Sequence, residues 1–145
     1  MTEEKQRPKI GVGVYVIKDG KILFAQRHRN NAHAPGMWAP PGGHLEMNES
    51  WEECAEREVR EETGVSISNI RFMTATNDIY PGENRHYVTL HMRADWRAGE
   101  AQNMEPDKAE KVEWLDWHNL PEPLMTACSN FRKNGYNPLH FIDNK

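Results

Sequence analysis

The sequence predicts an α+β domain in which a mixed β-sheet carries helices packed on its faces. Three observations point there. A run rich in β-branched residues, Ile10-Gly11-Val12-Gly13-Val14-Tyr15-Val16-Ile17, is followed by Asp19-Gly20 and a second apolar run, which is the pattern of a strand hairpin. A segment of helical period with signals at both ends covers about 50–63. Strand-like segments then return, and strands interleaved with two helices favour a mixed sheet with helical layers.

Element by element, Lys9 to Lys18 is too β-branched for anything but a well-buried strand. Asp19-Gly20 is a strong two-residue turn signal, and Lys21 to Arg27 supplies the returning strand. Residues 28–42 read as a loop, punctuated by Pro35-Gly36 and Pro40-Pro41-Gly42. Ser50 with Glu53 three residues later fits a capping box, and Gly64 stands where a glycine ends a helix. Further strands are expected near 66–76, 86–95 and 111–117, with Pro81-Gly82 turning between the first two, and a second helix over about 122–133. A chain of 145 residues suits one domain spanning 1–145. Residues 1–8 are expected to be flexible.

Composition excludes several classes. Hydrophobic residues make up 37% and charged residues 28%, ordinary for a globular domain and unlike disordered or fibrous chains. No stretch approaches the ~20 apolar residues of a membrane helix, and the charged start has no apolar segment behind it, so neither a membrane span nor a secretion signal is expected. The two cysteines, Cys54 and Cys128, form no Cys-x-x-Cys pair and suit reduced thiols in a cytoplasmic protein. A net charge of −4 with no basic stripe gives no footprint for long nucleic acid.

The distribution of charge is more informative than its total. Residues 49–62 hold seven glutamates and two arginines, a net of −5, so the rest of the chain carries +1. On a helical wheel Trp51, Ala55 and Val59 form the apolar stripe that must meet the sheet. Glu52, Glu53, Glu56 and Arg60 lie opposite, where solvated charge belongs. Glu58 and Glu62 border the stripe one turn apart, where like charges repel and burial makes the repulsion larger. Arg57 most naturally serves Glu61 at i+4 and is expected to lie on the wrong side for Glu58 and Glu62. The leftover pair suits a hard divalent cation, since Mg²⁺ takes one or two carboxylates and leaves room for water and phosphate oxygens.

Order and spacing then add a resemblance. Gly43-x5-Glu49-x7-Arg57-Glu58-Val59-x-Glu61-Glu62-x-Gly64-Val65 is similar at every fixed position to the Nudix box, the signature of the MutT-like hydrolase superfamily. Trp38-x-x-Pro41-Gly42-Gly43 and Glu113-Trp114-Leu115-Asp116-Trp117 resemble the surroundings of that box. Gly42-Gly43-His44-Leu45-Glu46, His86-Tyr87-Val88-Thr89 and Gly135-Tyr136-Asn137-Pro138 resemble its nucleoside triphosphate diphosphatase subgroup.

The resemblance implies an α/β/α sandwich, Mg²⁺ as cofactor with Mn²⁺ as a substitute, a small-molecule nucleotide substrate and a homodimer. It implies that Glu58 and Glu62 hold the metal together with the Gly42 carbonyl, and that Glu61 is either a further ligand or the base that activates water. It gives Arg57 the orientation of a carboxylate and Glu49 the support of the helix start. The implied reaction is hydrolysis of a nucleoside triphosphate to monophosphate and pyrophosphate, or alternatively of a nucleoside diphosphate-sugar of the ADP-ribose or GDP-mannose type.

Other residues are candidates on position. Arg27, ending the second strand, is placed either to reach phosphates or as a plain surface arginine. Gly43 and His44 stand beside the substrate, His44 facing a phosphate or base unless it only supports the loop. Glu83 and His86, after Pro81, are alternative bases. Trp51, Trp114 and Trp117 read as core, whereas Trp38 is placed to line a pocket mouth. Pro40 and the stretch Met125-Thr126-Ala127-Cys128 depart from the subgroup and point to a smaller or more polar base pocket.

Overall fold

The hairpin forms at Asp19-Gly20. In the computed structural model, which describes residues 5–141, strands β1 (Lys9–Lys18) and β2 (Lys21–Arg27) pair antiparallel, Lys18 opposite Lys21. Asp19 and Gly20 take positive φ, 51° and 75°, as a type I′ turn demands. Residues 5–8 are exposed and outside regular structure; the remainder of the expected flexible start, 1–4, lies outside the described residues.

The supposed loop over 28–42 is more ordered than expected. Trp38–Ala39 forms β3 against β2, and Gly42–His44 forms β4 against β1, with Gly13 opposite Gly42. Pro40 and Pro41, which lack amide donors, separate these two short strands. Strands β5 (Ser66–Tyr80) and β6 (Arg85–Ala98) form a long antiparallel hairpin that runs past the expected end at 76. Because β6 also runs parallel to β1, from Lys9 beside Tyr87 to Ile17 beside Asp95, the sheet is mixed. Its order is β3-β2-β1-β6-β5, with β7 (Ala109–Leu115) added to β2. Strand β7 stops two residues before the expected end because Asp116 caps a 3₁₀ turn, Trp117–Asn119, through the His118 N–H.

One helix packs on each face. Helix α1 (Trp51–Thr63) has the full capping box between Ser50 and Glu53 and ends at Gly64 with φ 76°. Its buried residues, Cys54, Ala55 and Val59, meet Val12, Val14 and Val16 of β1 with Leu90 and Met92 of β6. Helix α2 (Thr126–Lys133) covers the other face, where Phe131 stacks on Tyr15 at 4.5 Å beside Phe24, Met73 and Trp117. Burial on both faces explains why β1 reads as an unbroken apolar run. Helix α2 starts four residues later than the sequence suggests, because Pro123 and Met125 hydrogen-bond the Trp38 backbone and hold that stretch extended. Trp51 corrects another expectation. At the first position of α1 it stays 40% exposed and packs on the equally open Phe72 of β5.

A buried polar chain ties α2 to the sheet. Tyr15 Oη lies 3.2 Å from His91 Nδ1, Thr76 Oγ1 lies 2.8 Å from His91 Nε2, and Thr76 donates to Asp78 at 3.0 Å. Asn130 completes the chain by donating to Asp78 at 2.9 Å. Since the single Thr76 proton goes to Asp78, Nε2 of His91 donates and Nδ1 accepts from Tyr15. Burial, opposed only by the more distant Asp78, lowers the His91 pKa from 6.5 to about 4. The unfolded chain therefore binds a proton that the native state refuses, so stability falls as pH drops from 6.5 towards 4. The expected loss is about 3 kcal/mol. Urea unfolding of wild type and His91→Gln across that range checks it: the wild-type slope should be steeper by one proton, and parallel slopes would refute the assignment.

Candidate active site

The glycine pair of β4 is pressed against α1, and both glycines are needed there. A Cβ on Gly42 would overlap the Val12 carbonyl oxygen, and one on Gly43 would overlap the Glu58 carboxylate. The Gly42 N–H donates to Glu62 Oε2 at 2.9 Å. Strand β4 thus delivers backbone to the two helix positions that border the apolar stripe.

Arg57 does not choose the partner that its spacing suggests. Its Nε donates to Glu49 Oε2 at 2.6 Å and its Nη2 to Glu49 Oε1 at 2.9 Å, a bidentate fork. Nη1 reaches Glu58 Oε1 at 2.7 Å, while Glu61 is the longer contact at 3.4 Å. Exposure accounts for the order: the Glu49 and Glu58 side chains are 12% and 15% exposed and that of Glu61 is 51%. The guanidinium sits where two carboxylates have lost most of their water. The fork holds the Glu49 carboxyl down at about 2, and the same bonds hold Arg57 above its ordinary value.

Glu58 and Glu62 remain uncomfortable. Burial raises the Glu58 pKa and outweighs the Arg57 contact. Burial and then the Glu58 charge push Glu62 well above the ordinary value, against the Gly42 N–H. Among the described residues no three His, Cys, Asp or Glu side chains already converge as a chelate. The donor set nevertheless suits a hard cation: two desolvated carboxylates one turn apart, lacking enough positive charge, with backbone beside them and space for water or phosphate oxygens. Glu61, half open to solvent one turn from Arg57, is far more exposed than Glu49 and Glu58.

Gly42, Gly43 and Glu62 line a cavity of about 170 Å³ together with Arg27, His44 and Tyr87. Burial lowers the Arg27 pKa, against the attraction of Glu62. Its Nε donates to the His33 carbonyl at 2.8 Å. His44 Nε2 lies 3.2 Å from Tyr87 Oη, and burial lowers its pKa as well. Pro40, Met125, Ala127 and Cys128 are at the wall, as the departures from the subgroup suggest.

Other candidates stand elsewhere. Trp38 does not line the cavity; it is 6% exposed and packs with Trp117 and Phe24 in the core beneath α2. Its place in β3, with Gln26 opposite, turns the indole inward. Trp117 is core as expected, and Trp114 packs partly buried at the edge of the other core. Glu83 and His86 line a neighbouring groove of about 640 Å³ instead, with Arg7, Lys9 and Arg85. His86 is engaged with Asn77 at 2.5 Å.

Sequence reasoning missed His33, Tyr80 and Tyr87 as wall residues. His33 packs on Tyr80 at 4.6 Å and Tyr87 at 5.6 Å, and the two tyrosines separate cavity from groove. The tyrosines flank the Pro81-Gly82 turn, a signal available in hindsight; nothing local marks His33.

No described helix is long and apolar enough to cross a membrane. Comparison with known proteins places the domain. Residues 7–133 match the NUDIX domain model. The NAD-capped RNA hydrolase NudC of Vibrio atlanticus is 36% identical over 125 residues, covering 83% of this chain and 43% of that protein. The protein of the same name from Pseudomonas aeruginosa PAO1 is 32% identical over 130 residues, covering 90% and 41%. The chain thus spans about two fifths of the length of these curated relatives. Among solved structures, the MutT NUDIX hydrolase of Burkholderia pseudomallei superposes with a TM-score of 0.81 at 28% identity, covering 90% of this chain and all of that one. A mixed sheet between two helices, a glycine pair against an acidic helix and a family match over most of the chain lead to one conclusion: the chain belongs to the Nudix family of hydrolases.

Proposed function

We propose that this protein hydrolyses a phosphoanhydride bond of a nucleoside triphosphate with Mg²⁺, taking one water and releasing nucleoside monophosphate and pyrophosphate. The observation that carries the reading is the under-compensated carboxylate pair Glu58 and Glu62, of which Glu62 lines one cavity with the desolvated cation Arg27. In this reading Glu58, Glu62 and the Gly42 carbonyl hold the ion. When bound, Mg²⁺ (or Mn²⁺) supplies positive charge to non-bridging oxygens and acidifies water. Glu61 either adds a ligand or takes the proton of the attacking water. Arg57, gripped by Glu49, orients the Glu58 carboxylate. Arg27, in the wall of the same cavity, meets the phosphates, and Gly43 and His44 border the substrate.

A second reading is favoured by the names of the relatives and by the neighbouring groove. A dinucleotide pyrophosphate such as an NAD cap would place one nucleotide in the cavity and the other along Arg7, Lys9 and Arg85 beyond the tyrosine wall. One panel decides between them: nucleoside triphosphates, ADP-ribose, GDP-mannose, NAD and NAD-capped RNA with Mg²⁺ in ¹⁸O water. Pyrophosphate release from triphosphates, with the others inert, supports the first reading. Faster cleavage of NAD or the capped RNA into two monophosphate ends would replace it with the second.

A further inference from the structure

Glu83 carries a carboxylate in the groove beside the cleft, which it lines with Tyr80 and Tyr87. Its Oε1 lies 2.7 Å from His33 Nδ1 and accepts the Ala34 N–H at 3.3 Å. Both partners belong to the loop before β3, fifty residues earlier in the chain. That loop folds back on Arg27. The His33 carbonyl accepts Arg27 Nε at 2.8 Å, the Arg27 N–H donates to the Met37 carbonyl at 2.8 Å, and Gly36 N–H donates to the Arg27 carbonyl at 3.1 Å. His33 therefore holds the Glu83 carboxylate with its ring and the Arg27 guanidinium with its backbone.

The loop needs an outside anchor. Ala34 takes φ 48°, a left-handed conformation that is unfavourable for a residue with a Cβ. Its N–H goes to Glu83, and the His33 ring is fixed against Tyr80 and Tyr87. The guanidinium needs the same restraint. Arg27 and Glu62 line one cavity and attract each other. An untethered guanidinium is drawn towards Glu62 and away from an incoming phosphate. With Nε held, the plane of the fork is set and both Nη groups stay available for bidentate phosphate contact.

We propose that Glu83 is a positioning residue for phosphate binding: through His33 and Ala34 it shapes the loop whose carbonyl aims Arg27 into the cavity. This rests on the reading of Arg27 as a phosphate ligand. It also replaces the role of base for Glu83, which stands across the tyrosine wall from Glu58 and Glu62.

The test uses Glu83→Ala, Glu83→Gln, Arg27→Ala and the double variant. For Glu83→Ala, KM for the preferred triphosphate should rise about tenfold with kcat within about twofold, the signature of lost binding. Glu83→Gln keeps an acceptor for Ala34 and His33 and should stay within about twofold of wild type. Arg27→Ala and the double variant should coincide, because both changes act through one guanidinium. A kcat loss at unchanged KM, a poor Glu83→Gln enzyme, or additive effects would overturn the proposal.

A second readout is independent of turnover. In ¹⁵N spectra the Arg27 Nε–H, assigned by its absence in Arg27→Lys, should exchange slowly with solvent in wild type and Glu83→Gln. It should exchange fast in Glu83→Ala. Unchanged protection in Glu83→Ala refutes the tether even if the wild type proves inactive on triphosphates, which would count against the functional reading alone.

Discussion

Glu62→Gln should lower Mg²⁺-dependent turnover by about three orders of magnitude while raising the melting temperature of the metal-free protein. The two effects share one cause. Glu62 is desolvated beside Glu58, and neither the Gly42 N–H nor Arg27 restores its ordinary acidity. A carboxylate kept in such surroundings weakens the fold unless something positive joins it. Glutamine keeps the shape and the acceptor for Gly42 but removes the charge, so the native state gains. Removing one ligand from a metal that neutralises phosphate oxygens should cost about 4 kcal/mol of barrier, or three decades of rate. Thermal melting without metal and turnover with it are the two measurements. Near-normal rates, or a lower melting temperature, would sink the assignment of Glu62 as a ligand.

Gly42→Ala and Gly43→Ala should separate folding from chemistry although they are neighbours. The new methyl at Gly42 meets the Val12 carbonyl, backbone of the central strand. Neither partner can rotate away, so β1 and β4 must part, and a loss of about 3 kcal/mol is expected. At Gly43 the atoms nearest the methyl are the carboxylate end of the Glu58 side chain. That carboxylate can swing aside, leaving stability within about 1 kcal/mol of wild type. Displaced from Glu62, it should lower turnover about a hundredfold. Urea unfolding and turnover measured on both variants give the contrast. A stable, active Gly43→Ala protein would show that the Glu58 position is immaterial.

What the sequence made legible was local. The Asp19-Gly20 turn, the Ser50–Glu53 box and Gly64 each act within a few residues, and all three formed as expected. The acidic border of α1 was legible because helical period alone decides which glutamates sit beside Ala55 and Val59. Features that depend on distant partners were not. Strands β3 and β4 are two and three residues long, and only β2 and β1 beside them make them strands. Spacing gave Arg57 to Glu61, but the choice was settled by how much water Glu49 and Glu58 lose in the fold. Trp51 has the period of a core residue, yet at the first position of α1 it meets the open Phe72 and stays 40% exposed. The contact between His33 and Glu83 joins two loops across fifty residues, and no periodic signal spans that distance.

Strand β1 touches nearly everything described here. It is flanked by β2, β4 and β6, its valines seat α1, and Tyr15 seats α2. A spine so heavily shared tolerates few changes, because each is felt by several neighbours at once. Substitutions that change what the cleft accepts should therefore be better tolerated at wall positions off this strand, such as Met125 and Ala127, than on the strand itself.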